Sequence, residues 1–274
     1  MSPWYDRPVQ ARINGTRLFY RDEGPRKGLP VILIHAFPLC HAMWAPQVAA
    51  LRGGFRVVSY DIRGLGRSAA GDGQSTMELL VDDLAALLDR LELPAAVLCG
   101  LSLGGYIALR FSQREPARVR GLVLADTRSQ ADSDEAKLSR AAAMRAIKAE
   151  GLAPFARGFV PRLFAPATWA GAEPCVAKVT AMIRRSRPLG VCSALLAMLS
   201  RTDTTPALPS LQVPCLVLAG EHDALTPPAG ARALAAAIPK AEFAVIPGAG
   251  HLSSLENPSR FNRCLLDLLR RVPR

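Results

Sequence analysis

The run Gly100-Leu101-Ser102-Leu103-Gly104-Gly105 follows five apolar residues, Ala95-Ala96-Val97-Leu98-Cys99, and leads into the helix-like stretch Tyr106-Ile107-Ala108-Leu109-Arg110-Phe111. One serine is thereby placed at a tight strand-to-helix turn. Such a turn holds its central residue in a strained backbone conformation and brings the flanking positions too close together for side chains, so glycine fits at 100, 104 and 105. This is the form of a nucleophile elbow, which pushes the serine hydroxyl into the site. The backbone N–H of Leu103, opening the helix, can then point at a developing oxyanion, with the helix dipole adding to it.

A serine hydroxyl is a poor nucleophile near neutral pH and needs a base within hydrogen-bond reach, itself oriented by an acid. Of the four histidines, His35 and His41 precede the serine, His222 lies beside Asp223, and His251 sits in Ile246-Pro247-Gly248-Ala249-Gly250-His251-Leu252. Sites built on this kind of elbow follow the chain order serine, acid, histidine, and His251 fits. The alternative for His251 is a loop histidine bonded only to backbone. For the acid, Pro214 to Gly220 reads as a buried parallel strand with Glu221-His222-Asp223 at its C-terminal end, where open α/β sheets place their chemistry. Asp223 is the expected acid. Asp126, after the strand Gly121 to Ala125, is a second strand-end candidate, whereas Glu221 and His222 read as loop residues.

Four separated motifs now agree: His35-Ala36-Phe37-Pro38, Asp61-Ile62-Arg63-Gly64-Leu65-Gly66-Arg67-Ser68, the elbow, and Gly220-Glu221-His222-Asp223 with His251. Together they resemble the α/β-hydrolases across nearly the whole chain. Within that superfamily, His35 to Leu39, the elbow through Tyr106, and Leu124-Ala125-Asp126-Thr127-Arg128 are similar to small bacterial esterases grouped with the enol-lactonase of the β-ketoadipate pathway. The resemblance implies a serine hydrolase without cofactor or metal and with a helical cap, in which Phe37 donates the second oxyanion N–H. The chain departs from the commoner motif by carrying Ala36, whose Cβ restricts the loop, where glycine usually follows the histidine. His35 is expected to fix that loop by hydrogen bonding, and Asp61 and Arg63 to brace the loop after Arg56 to Tyr60.

The expected fold is α/β: a doubly wound, mostly parallel, eight-stranded sheet with an inserted helical cap. Val9 to Ile13 and Arg17 to Arg21 form a hairpin about Asn14-Gly15. Short apolar runs from Val31 onward then alternate with helical stretches such as Thr76 to Leu84. That rhythm breaks after Asp126, and the chain is helix-rich to Thr205. The expected core is 1–127 with 206–274, and the cap is 128–205. Asp132 with Glu135 is expected to cap the first helix of that segment, Gly151 and Pro154 to end it, and Pro161, Pro166, Pro174 and Pro188 to divide the rest. Of Phe155, Phe159, Leu163, Phe164, Trp169, Leu195 and Met198, two or three are expected to face substrate.

At 274 residues, half of them hydrophobic, the chain can bury a large core. No apolar run is long enough to span a membrane, and Met1 to Arg7 lacks the basic-then-apolar order of a secretory signal, so a cytoplasmic location is expected. The six cysteines have no metal-ligand spacing. The net charge of +11 raises nucleic-acid binding. The basic residues, only five of the 34 being lysine, are however dispersed. They read as a solvated surface that steers anionic substrates.

These features predict hydrolysis of small carboxylic esters or lactones through an acyl-enzyme on Ser102. A carbon-carbon bond hydrolase and a cofactor-free perhydrolase share the same residues, and a noncatalytic binding protein could keep the same fold. An enol-lactonase would also have to recognise a substrate carboxylate, and the sequence singles out no arginine for that. Oligomeric state is open, a homo-oligomer included.

Overall fold

The computed structural model describes residues 7–273; Met1 to Asp6, most of the stretch read for a leader, and Arg274 lie outside them. Eight strands form one sheet: β1 (Arg7–Ile13), β2 (Thr16–Glu23), β3 (Pro30–Ile34), β4 (Arg56–Tyr60), β5 (Ala96–Leu101), β6 (Val119–Ala125), β7 (Cys215–Gly220) and β8 (Ala241–Ile246). Their spatial order is β1-β2-β4-β3-β5-β6-β7-β8. β1 and β2 form a hairpin whose turn residues, Asn14 and Gly15, both have positive φ, as a two-residue hairpin turn requires. β2 is also antiparallel to β4, and every later pairing is parallel.

Parallel strands are covered on both faces, so alternate residues enter two separate cores. Ile32, Leu98, Leu124 and Val217 face one core, shared with helices α2 (Met77–Arg90), α3 (Leu103–Arg114) and α9 (Pro228–Ala236). Leu33, Cys99, Val123 and Leu216 face the other, which is closed by α1 (Ala45–Leu51) and α11 (Pro258–Leu269). This is the expected doubly wound α/β fold. All six cysteines are free thiols. Burial pushes those of Cys99 and Cys215 up, the second to about 12, so both act as small apolar side chains.

Between β6 and β7 the chain is helical: α4 (Asp134–Glu150), α5 (Leu152–Phe159), α6 (Pro166–Ala170), α7 (Pro174–Arg185) and α8 (Pro188–Leu199). Pro166, Pro174 and Pro188 each open a helix, where a missing N–H breaks no intrahelical bond. Pro154, by contrast, lies within the first turn of α5. The start of α4 differs from the expected cap: Ser133 is the capping residue, accepting from Ala136 N–H at 3.3 Å. Asp132 is buried instead and serves three arginines.

Candidate active site

Ser102 stands between β5 and α3 with φ 55° and ψ −112°. A left-handed φ at a residue with a Cβ costs on the order of 1–3 kcal/mol and persists only where the surroundings over-determine it. Here they do. The Ser102 N–H donates to Ala125 O at 2.9 Å, while its carbonyl accepts from Gly105 N–H, Tyr106 N–H and the Thr127 hydroxyl at 2.9, 3.1 and 2.9 Å. The glycines let the backbones meet: a Cβ on Gly100 would strike the Gly104 carbonyl, and one on Gly104 the Ile34 carbonyl. The first N–H groups of α3, Leu103 included, have no carbonyl four residues back to bond with in the helix.

Asp223 and His251 are brought together from the ends of β7 and β8. The His251 Nδ1–H donates to Asp223 Oδ2 at 2.8 Å, since a carboxylate has no proton to give, which leaves Nε2 free of that bond. Thr226 anchors the acid: its hydroxyl donates to Asp223 Oδ2 at 2.5 Å, and the Leu225 and Thr226 N–H groups donate to Oδ1 at 2.8 and 3.0 Å. Burial opposes ionisation of Asp223, but His251 and these donors outweigh it and hold the carboxyl below its usual range. Burial likewise works against charging His251, yet Asp223 beside it lifts the imidazole above its ordinary value.

Asp126 is turned to a different task. Its Oδ1 accepts from Gly220 N–H at 2.7 Å and its Oδ2 from the Ser253 hydroxyl, so the second strand-end carboxylate holds backbone and a neighbouring loop. Glu221 is half-exposed and accepts from Gly248 N–H, while His222 is exposed beside it.

His35 is fully buried and bridges two loops, donating from Nδ1 to Ala36 O and accepting from Ile62 N–H at Nε2, both at 2.9 Å. Burial lowers its pKa to about 4, so it stays neutral. Asp61 accepts from the N–H groups of His41 and Arg67 and from His41 Nδ1, each at 2.7 Å. Cys40, His41 and Asp61 thus lie within ligand reach of one another. The carboxylate is nevertheless committed to the loop, and burial, with Asp61 adding, pushes the Cys40 thiol to about 11. Arg63 braces elsewhere, in a two-pronged pair with Asp83 of α2.

Phe37, Ser102 and His251 open onto one cavity of about 270 Å³, roofed by residues of α4, α5 and α8. Phe155, Phe159, Leu195 and Met198 line it; Leu163 and Phe164 are buried in the core and Trp169 is exposed. Arg128, Arg140 and Arg162 line it too. Sequence reading missed them, along with Thr226 and Ser253. The D-x-x-T spacing of Asp223 and Thr226 is a local signal that could have flagged the anchor.

The α/β hydrolase fold family matches residues 30–258. The chain belongs to that family. A thermophilic esterase from Thermogutta terrifontis, solved with malate bound, is 40% identical over 97% of this chain and 99% of its own, with a TM-score of 0.92. The enol-lactonase from Burkholderia xenovorans LB400 is 33% identical over 96% of this chain and 100% of its own, at 0.89. The 3-oxoadipate enol-lactonase 2 of Acinetobacter baylyi is 30% identical over 84% of each chain. The likeness to the α/β-hydrolases read from the four motifs stands, and so does that to esterases and enol-lactonases read from His35 to Leu39, the elbow through Tyr106 and Leu124 to Arg128. Among the described residues, no helix is long and apolar enough to cross a membrane.

Proposed function

We propose that the protein is a serine hydrolase that cleaves small carboxylic esters or lactones through an acyl-enzyme. The observation that carries this reading is the meeting, in one cavity, of a strained elbow serine and a histidine whose far nitrogen is held by a buried carboxylate. His251 Nε2 takes the proton of Ser102 as its Oγ attacks the carbonyl carbon. The tetrahedral oxyanion is held by the Leu103 and Phe37 N–H groups. The imidazolium, stabilised by Asp223, then gives its proton to the departing alkoxide. Water, deprotonated by the same imidazole, releases the acid and restores Ser102. No step requires a cofactor.

In this reading 128–205 is the cap on a core of 1–127 and 206–274. It excludes water from the acyl-enzyme and sets the size of substrate. The cavity lies just under the roughly 300–1,000 Å³ of drug-sized sites, in keeping with a small ester or lactone. Relatives named as an esterase and enol-lactonases support the same reaction class. Ser102→Ala is expected to abolish both hydrolysis of p-nitrophenyl acetate and labelling by a fluorophosphonate probe. Equal rates for the purified variant and its parent would overturn the assignment.

A further inference from the structure

The loop that carries His251, between β8 and the short helix α10 (Ser253–Glu256), is pressed against the helical segment that follows β6. A Cβ on Gly250 would strike the Ala165 nitrogen and the Phe164 carbonyl carbon, so the two backbones touch there, and the Leu252 N–H donates to Leu163 O at 3.2 Å. His251 thus lies between two residues that both meet 163–165. Glu256, the last residue of α10, closes this junction. Its Oε1 accepts from Gly250 N–H at 2.7 Å and its Oε2 from Ala165 N–H at 2.8 Å, while the Thr168 hydroxyl donates to the same carboxylate. One side chain therefore joins its own loop, six residues back, to a segment 91 residues away.

Bonds from peptide N–H groups to a carboxylate are shorter and stronger than neutral ones. Neither N–H has an easy substitute: Gly250 and Ala165 are buried, and Ala165, capping α6, precedes every carbonyl of that helix. The charge is also felt by the base. Asp223 first, then Asp126 and Glu256, favour the protonated imidazole against the burial that opposes it. We propose that Glu256 is a positioning residue for His251: by tying Gly250 to Ala165 it sets the base loop against the helices over the cavity, so that Nε2 meets Ser102 only while that segment is seated. This rests on the hydrolase reading above.

The test measures kcat, KM and the pH profile on p-nitrophenyl acetate, with Tm alongside. Glu256→Gln can accept only one of the two N–H groups with its oxygen and sets its own NH2 against the other. Its kcat is expected to fall about 10- to 100-fold, as for a reacting group displaced by up to about 1 Å, with KM nearly unchanged. The acid limb of kcat/KM should begin at lower pH, because a negative charge near the imidazole is gone. Glu256→Asp keeps the charge but is one methylene too short to reach both N–H groups, so kcat should fall while the limb stays nearer that of the parent. A lower Tm with kcat and the limb unchanged in the folded variants means a structural role alone and overturns the inference. Thr168→Val is nearly isosteric and removes one donor to Glu256, so it keeps the test valid if neither Glu256 variant folds: kcat should fall about two- to tenfold, and an unchanged kcat overturns the inference. Ser102→Ala separates the two readings. If it hydrolyses the ester at the parent rate, the hydrolase reading falls and this inference with it; if it is inactive while the Glu256 variants keep the parent kcat, the positioning role alone falls.

Discussion

The Ser253 hydroxyl donates to the buried carboxylate of Asp126, joining residues 127 positions apart. Because Ser253 lies two residues beyond His251, and the other Asp126 oxygen holds Gly220 N–H at the end of β7, one carboxylate latches together β6, β7 and the loop that carries the imidazole. Asp223, at the neighbouring strand end, faces the imidazole itself. The two strand-end acids divide the work between holding the frame and pairing with the His251 imidazole.

That division predicts unequal losses. Asp223→Asn should lower kcat on a p-nitrophenyl ester by roughly 10⁴-fold, because the amide favours the wrong imidazole tautomer, and Asp126→Asn by far less. A larger loss in Asp126→Asn would reverse the assignment. The pH profile gives a second readout. In the proposed reaction the base must be neutral to act, so kcat/KM is expected to rise as His251 loses its proton. Burial alone would lower that pKa, but Asp223 lifts it above the ordinary value. The residual activity of Asp223→Asn should therefore begin at lower pH than in the parent.

Asp126 also makes stability depend on pH, with a sign opposite to that of a salt-bridged carboxylate. Burial first, and the Asp223 charge second, push its pKa up to about 8, against about 3.9 for an unfolded aspartate. Between those values the folded chain holds a proton that the unfolded chain releases. The contribution is full below about pH 4 and is lost as pH rises toward 8. Asp126→Asn lacks this dependence, so the Tm difference, variant minus parent, should become more positive from pH 4 to pH 8. A flat difference across that range would refute the shift.

Arg63 and Asp83 form a buried, two-pronged ion pair that ties the loop after β4 to α2. Arg63→Ala leaves an unpaired buried carboxylate and is expected to cost about 3–5 kcal/mol in urea unfolding. Arg270→Ala, which removes an exposed pair with Asp267, should cost less than about 1 kcal/mol. Equal costs would mean that the buried pair contributes nothing beyond a surface one.

Gly190, in the first turn of α8, touches the backbone of Gly64, and a Cβ there would run into the Gly64 carbonyl. Gly190→Ala should push α8 off the core loop at a cost of about 1–3 kcal/mol. Because α8 carries Leu195 and Met198 into the cavity, KM for a small ester should change more than the rate of labelling of Ser102 by a fluorophosphonate. An unchanged KM in a folded variant would separate α8 packing from substrate binding.

Much was legible along the chain because its causes are local. The Gly100 to Gly105 turn, the Asn14-Gly15 hairpin, the apolar strands β5 and β7 with the Gly121 to Ala125 part of β6, and the prolines opening α6, α7 and α8 are all set by backbone sterics and burial acting over a few residues. Chain order and strand ends were enough to nominate Ser102, Asp223 and His251. Close neighbours were harder: Asp132 looked like a helix cap, but Ser133 takes that position because Asp132 is drawn inward by three arginines.

Only the tertiary structure decided how Asp126 and Asp223 divide their tasks, which of Phe155, Phe159, Leu163, Phe164 and Trp169 reach the cavity, and that Arg128, Arg140 and Arg162 share its wall. Hydrophobic pattern tells which residues leave water. It does not tell which side chains from distant segments meet once the helices between β6 and β7 fold back over the sheet. Partner choice among buried charges depends on ångström-scale distances in a low-dielectric interior, where pairing energies change steeply, and the order of residues along a chain carries no such distances.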